Sequence, residues 1–189
     1  DASLTIEAIG GANVIREIPG GRTLASPTTL KVPDGVTLTF LDCGTLRTGV
    51  APTSRAYFSS GRLPSSGEPT ADNTADIDGG VLEFTRSHVI YPTGSSLMTV
   101  RNGGEIRVNG SSDTTLQTSR LYVSNGSLKL GNGGNFIRTA YNTDVHPTDG
   151  LEDMTLENAS VDLGNGSQIF TQETRVSGDT TITLGTNNQ

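Results

Sequence analysis

Along much of this chain apolar and polar residues alternate in runs of only three to five, and the runs are broken by Asn, Asp and Gly. Met98 to Val100, Leu121 to Val123 and Met154 to Leu156 each read apolar, polar, apolar, and Asn102, Asn125 and Asn158 follow at the same distance. A second short run leads to a second Asn seven residues on in every case, at Asn109, Asn132 and Asn165. The three segments read as gapless copies of one template: apolar, x, apolar, x, Asn, small, x, apolar, x, apolar, x, Asn, Gly. Alternation with a period of two marks a strand with one buried face, and Asn, Asp and Gly tolerate the left-handed backbone of a tight bend. Each copy is predicted to form two short strands separated by a corner.

Weaker copies begin at Leu30 (LKVPDGVTLTFLDCG), with Asp34-Gly35 at the first bend and the second bend one residue late at Asp42, and near Arg175 (RVSGDTTITLG). Ala2 to Ile9 reads as half a copy. Asn-Gly bends between alternating runs suit a row of hairpins, and they equally suit the corners of a solenoid. Spacing separates the two. Copies start 23 residues apart at Met98 and Leu121, 33 apart at Leu121 and Met154, and about 21 apart at the next, within or just beyond the roughly 20 to 29 residues of known solenoid coils. A β-sandwich would space its strands by about 8 to 12 residues without such a superperiod. The expected fold is all-β, a solenoid of about seven coils forming a single domain over 1–189. Two stretches break the pattern and are expected as loop excursions, about 45–80 and 136–150.

Composition narrows this further. With 24 Gly, no Trp, nine Tyr plus Phe and 32% hydrophobic residues, the chain lacks the helix formers and the aromatic centre of a helical or broad-cored domain. A net charge of −7 excludes nucleic acid and anionic membranes, which need a basic face, and points to neutral glycans, proteins or metal ions. No run of 18 apolar residues exists, so no membrane insertion is expected. The lone Cys43 has no internal disulfide partner and reads as a small hydrophobe. The chain opens at Asp1 without a signal peptide, as if processed or cut from something longer.

The pattern L-x-V/L-x-N-G/A-S-L/V-x-L-G-N-G, with its coil of about 23 residues, resembles the right-handed parallel β-helix of the pectin-lyase-like superfamily, most closely autotransporter passenger or adhesin domains and phage tailspikes. The resemblance covers Leu30 to Gln189. It implies coils stacked about 4.8 Å apart in a rod on the order of 35 Å long, and a structural ladder of stacked side chains at Asn102, Asn125 and Asn158. It names no reaction.

Candidate chemistry gathers in the second excursion, where Arg138, Tyr141, Asp144, His146 and Asp149 are followed by Glu152 and Asp153. Carboxylates with an Arg and a His suit acid/base work on glycans. Tyr141, Glu152 and Asp153 are expected to bind ligand, and in an enzyme Asp144, His146, Asp149 and Arg138 would be catalytic. The string Asn142-Thr143-Asp144 is similar to one motif of polygalacturonase-type hydrolases, yet that family's paired Asp-Asp and Gly-His-Gly are missing from the sequence, which favours a polar solvated loop. Asp72, Asp76 and Asp78 could supply oxygen ligands to Ca²⁺, although their spacing is not that of an EF-hand, and a solvated acidic loop is the plainer reading. No other cofactor is expected. His88 reads as structural. The four N-x-S sequons, at Asn109, Asn125, Asn158 and Asn165, coincide with bends and read as turns.

The resulting expectation is a secreted, cell-surface or virion-surface module for adhesion or binding, leaning non-catalytic. Its partner would be a glycan, a host-surface protein or further copies of itself, including a homotrimer. The alternative is a polysaccharide lyase or glycoside hydrolase, or a tailspike section acting on acidic glycans.

Overall fold

The computed structural model describes residues 4–16, 22–24, 28–41, 45–48, 73–86, 88–90, 96–110, 114–118, 120–139, 153–171 and 173–188. Among the described residues the alternating runs become strands that pair in parallel. Among the described residues there are twenty strands and no helix, in three sheets. The first holds β1 (Leu4–Glu7), β4 (Thr28–Val32), β7 (Asn73–Asp78), β10 (Ser96–Arg101), β13 (Arg120–Ser124), β16 (Met154–Glu157) and β19 (Thr174–Ser177). The second holds β2 (Ala12–Arg16), β5 (Thr37–Leu41), β8 (Val81–Thr85), β11 (Glu105–Asn109), β14 (Ser127–Leu130), β17 (Ser160–Leu163) and β20 (Thr181–Leu184). The third holds β3 (Arg22–Leu24), β6 (Thr45–Thr48), β9 (His88–Ile90), β12 (Thr115–Gln117), β15 (Phe136–Arg138) and β18 (Gln168–Phe170). Neighbours within each sheet are three places apart in the chain. Hairpins would be antiparallel, so the parallel ladders remove that reading and leave an all-β architecture compatible with a β-solenoid.

Register turns alternation into a core. In the first sheet Leu30, Ala75, Met98, Leu121 and Met154 form one inward column, and Val32, Ile77, Val100, Val123 and Leu156 the next. The second sheet contributes Leu38, Leu82, Ile106, Leu128 and Val161, and beside them Phe40, Phe84, Val108, Leu130 and Leu163. The third sheet, with strands of three or four residues, adds Leu116 and Ile137 as buried members of a single column. All of these are buried, and burying such a side chain stabilises by about 1.5–3 kcal/mol. Phe40 and Phe84 stack at 5.5 Å with their rings 17° apart, the aromatic counterpart of the aliphatic columns. The columns continue into β19 and β20, where Val176, Ile182 and Leu184 are half-exposed.

The corner between the first and second sheets explains the Asn repeats and corrects one of them. Asn102, Asn125 and Asn158 directly follow β10, β13 and β16 with φ of 54°, 51° and 47°, the left-handed region that Asn enters more cheaply than most residues. Their side chains are exposed and do not hold one another: Asn102 donates to Asp78 at 2.7 Å, Asn125 donates to Ser124 at 3.3 Å, and Asn158 accepts from the Asp179 N–H at 3.0 Å. The next position in this column is Gly178, where a Cβ would collide with the Asn158 side-chain Oδ1. The gapless template fails at Gly103, a second left-handed residue with φ 83°. That extra corner residue shifts the register from 23 in the first sheet, Met98 to Leu121, to 22 in the second, Ile106 to Leu128. Asn109 therefore lies level with Gly131, while Asn132 and Asn165 match.

The second corner carries the side-chain ladder. Asn132 Oδ1 accepts from the Asn165 N–H at 2.7 Å, and Asn165 Oδ1 accepts from the Thr186 N–H at 2.9 Å. Just inside it, Thr114, Asn135 and Ser167 occupy equivalent buried positions before β12, β15 and β18. Asn135 and Ser167 both donate to the Gly131 carbonyl at 2.6 Å. Such groups are tolerated inside because corner carbonyls lack strand partners.

Parts of both expected excursions are described, and those parts contain strands. β6 and β7 fall within 45–80, and β15 within 136–150. The acidic stretch read as a loop is strand β7, with Ala75 and Ile77 inward and Asp76 and Asp78 outward. A small Ala in the inward column hides the alternation. The predicted pair of strands per copy also becomes three, because a three-residue strand has one inward position and no period to detect.

Replacing Leu128 by Ala should cost about 3 kcal/mol in chemical denaturation. Asn125→Gly should stay within about 0.5 kcal/mol of the parent, whereas Asn125→Val should lose about 1–2 kcal/mol. Equal losses for Gly and Val would contradict a left-handed corner.

Candidate functional site

Alternation that sends Met98, Leu121 and Met154 inward sends their neighbours onto a continuous outer strip of the first sheet. Lys31, Asp76, Thr99, Tyr122, Thr155 and Arg175 form one outward column. Asp78, Arg101, Ser124, Glu157 and Ser177 form the next. Cross-strand pairs of this kind are the units that order a sheet surface.

Two clusters organise the strip. The Arg101 guanidinium meets Asp76 through two bonds of 3.0 Å and Asp78 at 2.8 Å. This forked geometry is what a planar guanidinium provides and an ammonium does not. The hydrogen bond to Asp76 comes first among the influences that hold the Arg101 pKa above its ordinary value, followed by the charge of Asp76, against a desolvation effect that lowers it. One strand step further, the Tyr122 hydroxyl donates to Glu157 at 2.7 Å and Ser124 donates to the same oxygen at 3.4 Å. The half-exposed Tyr122 ring is thus fixed at its tip, between Thr99 and Thr155.

The outer face of the second sheet is similarly tied. Glu83 accepts from Asn109 at 2.9 Å and from Thr39 at 3.3 Å. Glu105, 8% exposed, is bonded by Lys129 at 2.6 Å, by Ser127 at 3.1 Å and by Arg107. Burial pushes the Glu105 carboxyl upward, and the hydrogen bonds and charges of Lys129 and Arg107 outweigh it, so its pKa lies below the ordinary value of 4.5.

The sequence-predicted residues divide sharply. Tyr141, Asp144, His146, Asp149 and Glu152 lie outside the described residues, as does Asp72. Arg138 is on the outer face of β15. Asp153 is buried and accepts from the Glu173 N–H at 3.2 Å, which makes it a backbone partner just before β16. Asp76 and Asp78 are engaged by Arg101, and among the described residues no cluster of His, Cys, Asp or Glu is arranged to hold a metal ion. His88 lies on β9.

Chemically, the described faces offer ordered hydrogen-bonding groups. Glu157 is three strand steps from Asp78 along their shared column, about 14 Å at the spacing of parallel strands. Carboxyl pairs that cleave glycosidic bonds stand about 5–9.5 Å apart. Asp76 and Asp78 are closer along β7 but share one guanidinium. Tyr122 and its partners were missed by sequence reading, although the aligned copies already set Tyr122 level with Thr155 and Ser124 level with Glu157.

A carboxyl held below its unfolded pKa stabilises the fold above that unfolded value, and the contribution disappears as pH falls through the lower native value. Glu105→Gln should therefore cost about 1–2 kcal/mol at pH 7, with the difference from the parent shrinking as pH drops below about 4.5. Urea denaturation from pH 7 to pH 3 measures this; a difference that grows in acid would contradict it.

Compared with protein-family models, with curated proteins and with solved structures, the chain matches none of them.

Proposed function

We propose that the three parallel sheets are the walls of one right-handed β-helix of about seven coils, and that the chain is a non-catalytic binding module of a secreted or surface protein. Right-handedness follows the strong preference of parallel crossovers. The observation that carries the functional reading is the outer strip of the first sheet, where Tyr122, tethered to Glu157, stands between Thr99 and Thr155 beside the Arg101 cluster. Its side chains are held before any ligand arrives, so a partner pays little ordering entropy there.

The partner class is a neutral glycan. A ring face with flanking hydroxyls matches the apolar face and hydroxyl rim of a sugar, and a net charge of −7 repels polyanions at long range. The carboxylates on the strip accept bonds from Arg101, Tyr122, Ser124 and Asn102, a static network in place of an acid/base pair.

On a glycan array with neutral and acidic ligands, the parent protein should retain neutral glycans, and Tyr122→Ala should reduce retention about tenfold with unchanged circular dichroism. Incubation with the same glycans should release no products. Product release abolished by Asp144→Asn or Asp149→Asn would overturn the non-catalytic reading and favour the enzyme.

A further inference from the structure

The outer face of the third sheet carries an aromatic block that neither the core nor the strip of the first sheet uses. On β15 the buried Ile137 sends Phe136 and Arg138 outward, and on β18 the outward residues are Gln168 and Phe170. Register sets Phe136 beside Gln168 and Arg138 beside Phe170. The two Phe occupy one diagonal of this square and touch, with centroids 5.0 Å apart and planes tilted by 39°. Arg138 and Gln168 stand on the other diagonal. Phe170 is 44% exposed, in a chain with only five Phe.

We propose that Phe136 and Phe170 form a stacking platform for a pyranose ring of a neutral glycan, with Gln168 and Arg138 bonding its hydroxyls. This rests on the reading of the chain as a glycan-binding module and adds a second contact site on a different face. Size selects the occupant. Two Phe rings present on the order of 150–250 Å² each when wholly covered, whereas a stable protein partner needs about 800 Å² per side. The block suits one or two sugar rings and is too small for a protein interface. Planar amide and guanidinium groups at its edges provide directional bonds to hydroxyls, and the acidic net charge selects against a polyanionic glycan.

The test titrates the full chain with cellohexaose, xylohexaose, mannohexaose, maltohexaose and chitohexaose by calorimetry, and repeats it for Phe170→Ala, Phe170→Trp, Gln168→Ala and Tyr122→Ala. The expected result is binding of at least one hexasaccharide, weakened about tenfold by Phe170→Ala, weakened less by Gln168→Ala and retained by Phe170→Trp. Retention in the Trp variant separates a lost platform from a lost fold. Loss with Tyr122→Ala alone overturns the platform and supports the strip of the first sheet; loss with Phe170→Ala alone supports the platform and overturns the strip. If no hexasaccharide binds the parent, both fail. A parent that light scattering finds self-associated, and that Phe170→Ala renders monomeric, assigns the block to a second copy and overturns the sugar platform.

Discussion

Parallel hydrogen-bond ladders place each strand of a sheet about 4.8 Å from the next, so an inward side chain always rests on the inward side chain of the neighbouring strand. Everything else in the molecule adapts to that stacking. Columns such as Val32, Ile77, Val100, Val123 and Leu156 work because branched aliphatics of similar size repeat without gaps, and close packing penalises a mismatch of even one methylene. Among the described residues the buried aromatics are Phe40 and Phe84, and they stack on each other. Among the described residues, polar groups enter where partners meet them, as Asn135 and Ser167 do at the Gly131 carbonyl and Asp153 does at the Glu173 N–H.

The same register organises the outside. A charge on one strand is automatically level with a residue on the next, so Arg101 reaches Asp76 and Asp78 and Lys129 reaches Glu105 across neighbouring or same-sheet strands. The exposed pairs of Arg101 contribute little stability individually. Their larger effect is to hold long side chains in one arrangement, which turns a solvated sheet face into a surface with fixed hydrogen-bond directions. Tyr122 gains its orientation in this way from Glu157.

What could be read from the chain was whatever had a period. The register of Met98, Leu121 and Met154 was visible as a repeated apolar, x, apolar, Asn pattern, and their pairing follows it. The extra residue at Gly103 was masked by Asn109 and Asn132, which keep the same sequence spacing although they occupy different levels; the apolar pairs record it, since Ile106 and Val108 lie 8 and 10 residues after Met98 whereas Leu128 and Leu130 lie 7 and 9 after Leu121. Strand β7 was hidden by Ala75 and by carboxylates whose cation, Arg101, comes 25 residues later in the chain. The third sheet was hidden by strands too short to alternate. For the candidate site, chemistry-rich residues between β15 and β16 drew attention by composition. Tyr122 and Phe170 did not, since their neighbours come from other strands and only register brings them together.

The distance along the chain between stacked strands varies while the distance in space does not. Leu121 and Met154 are neighbours across 33 residues, Met154 and Thr174 across 20, and Thr29 and Thr74 across 45. Doubling a flexible loop costs only about 0.6 kcal/mol of closure entropy, small beside one buried aliphatic residue. Chain length added at a corner is therefore nearly neutral for the scaffold. Such an architecture can acquire, lose or exchange surface segments by insertion and deletion while its interior sequence stays unaltered, so the stacked sheets form a frame whose corners can change one at a time.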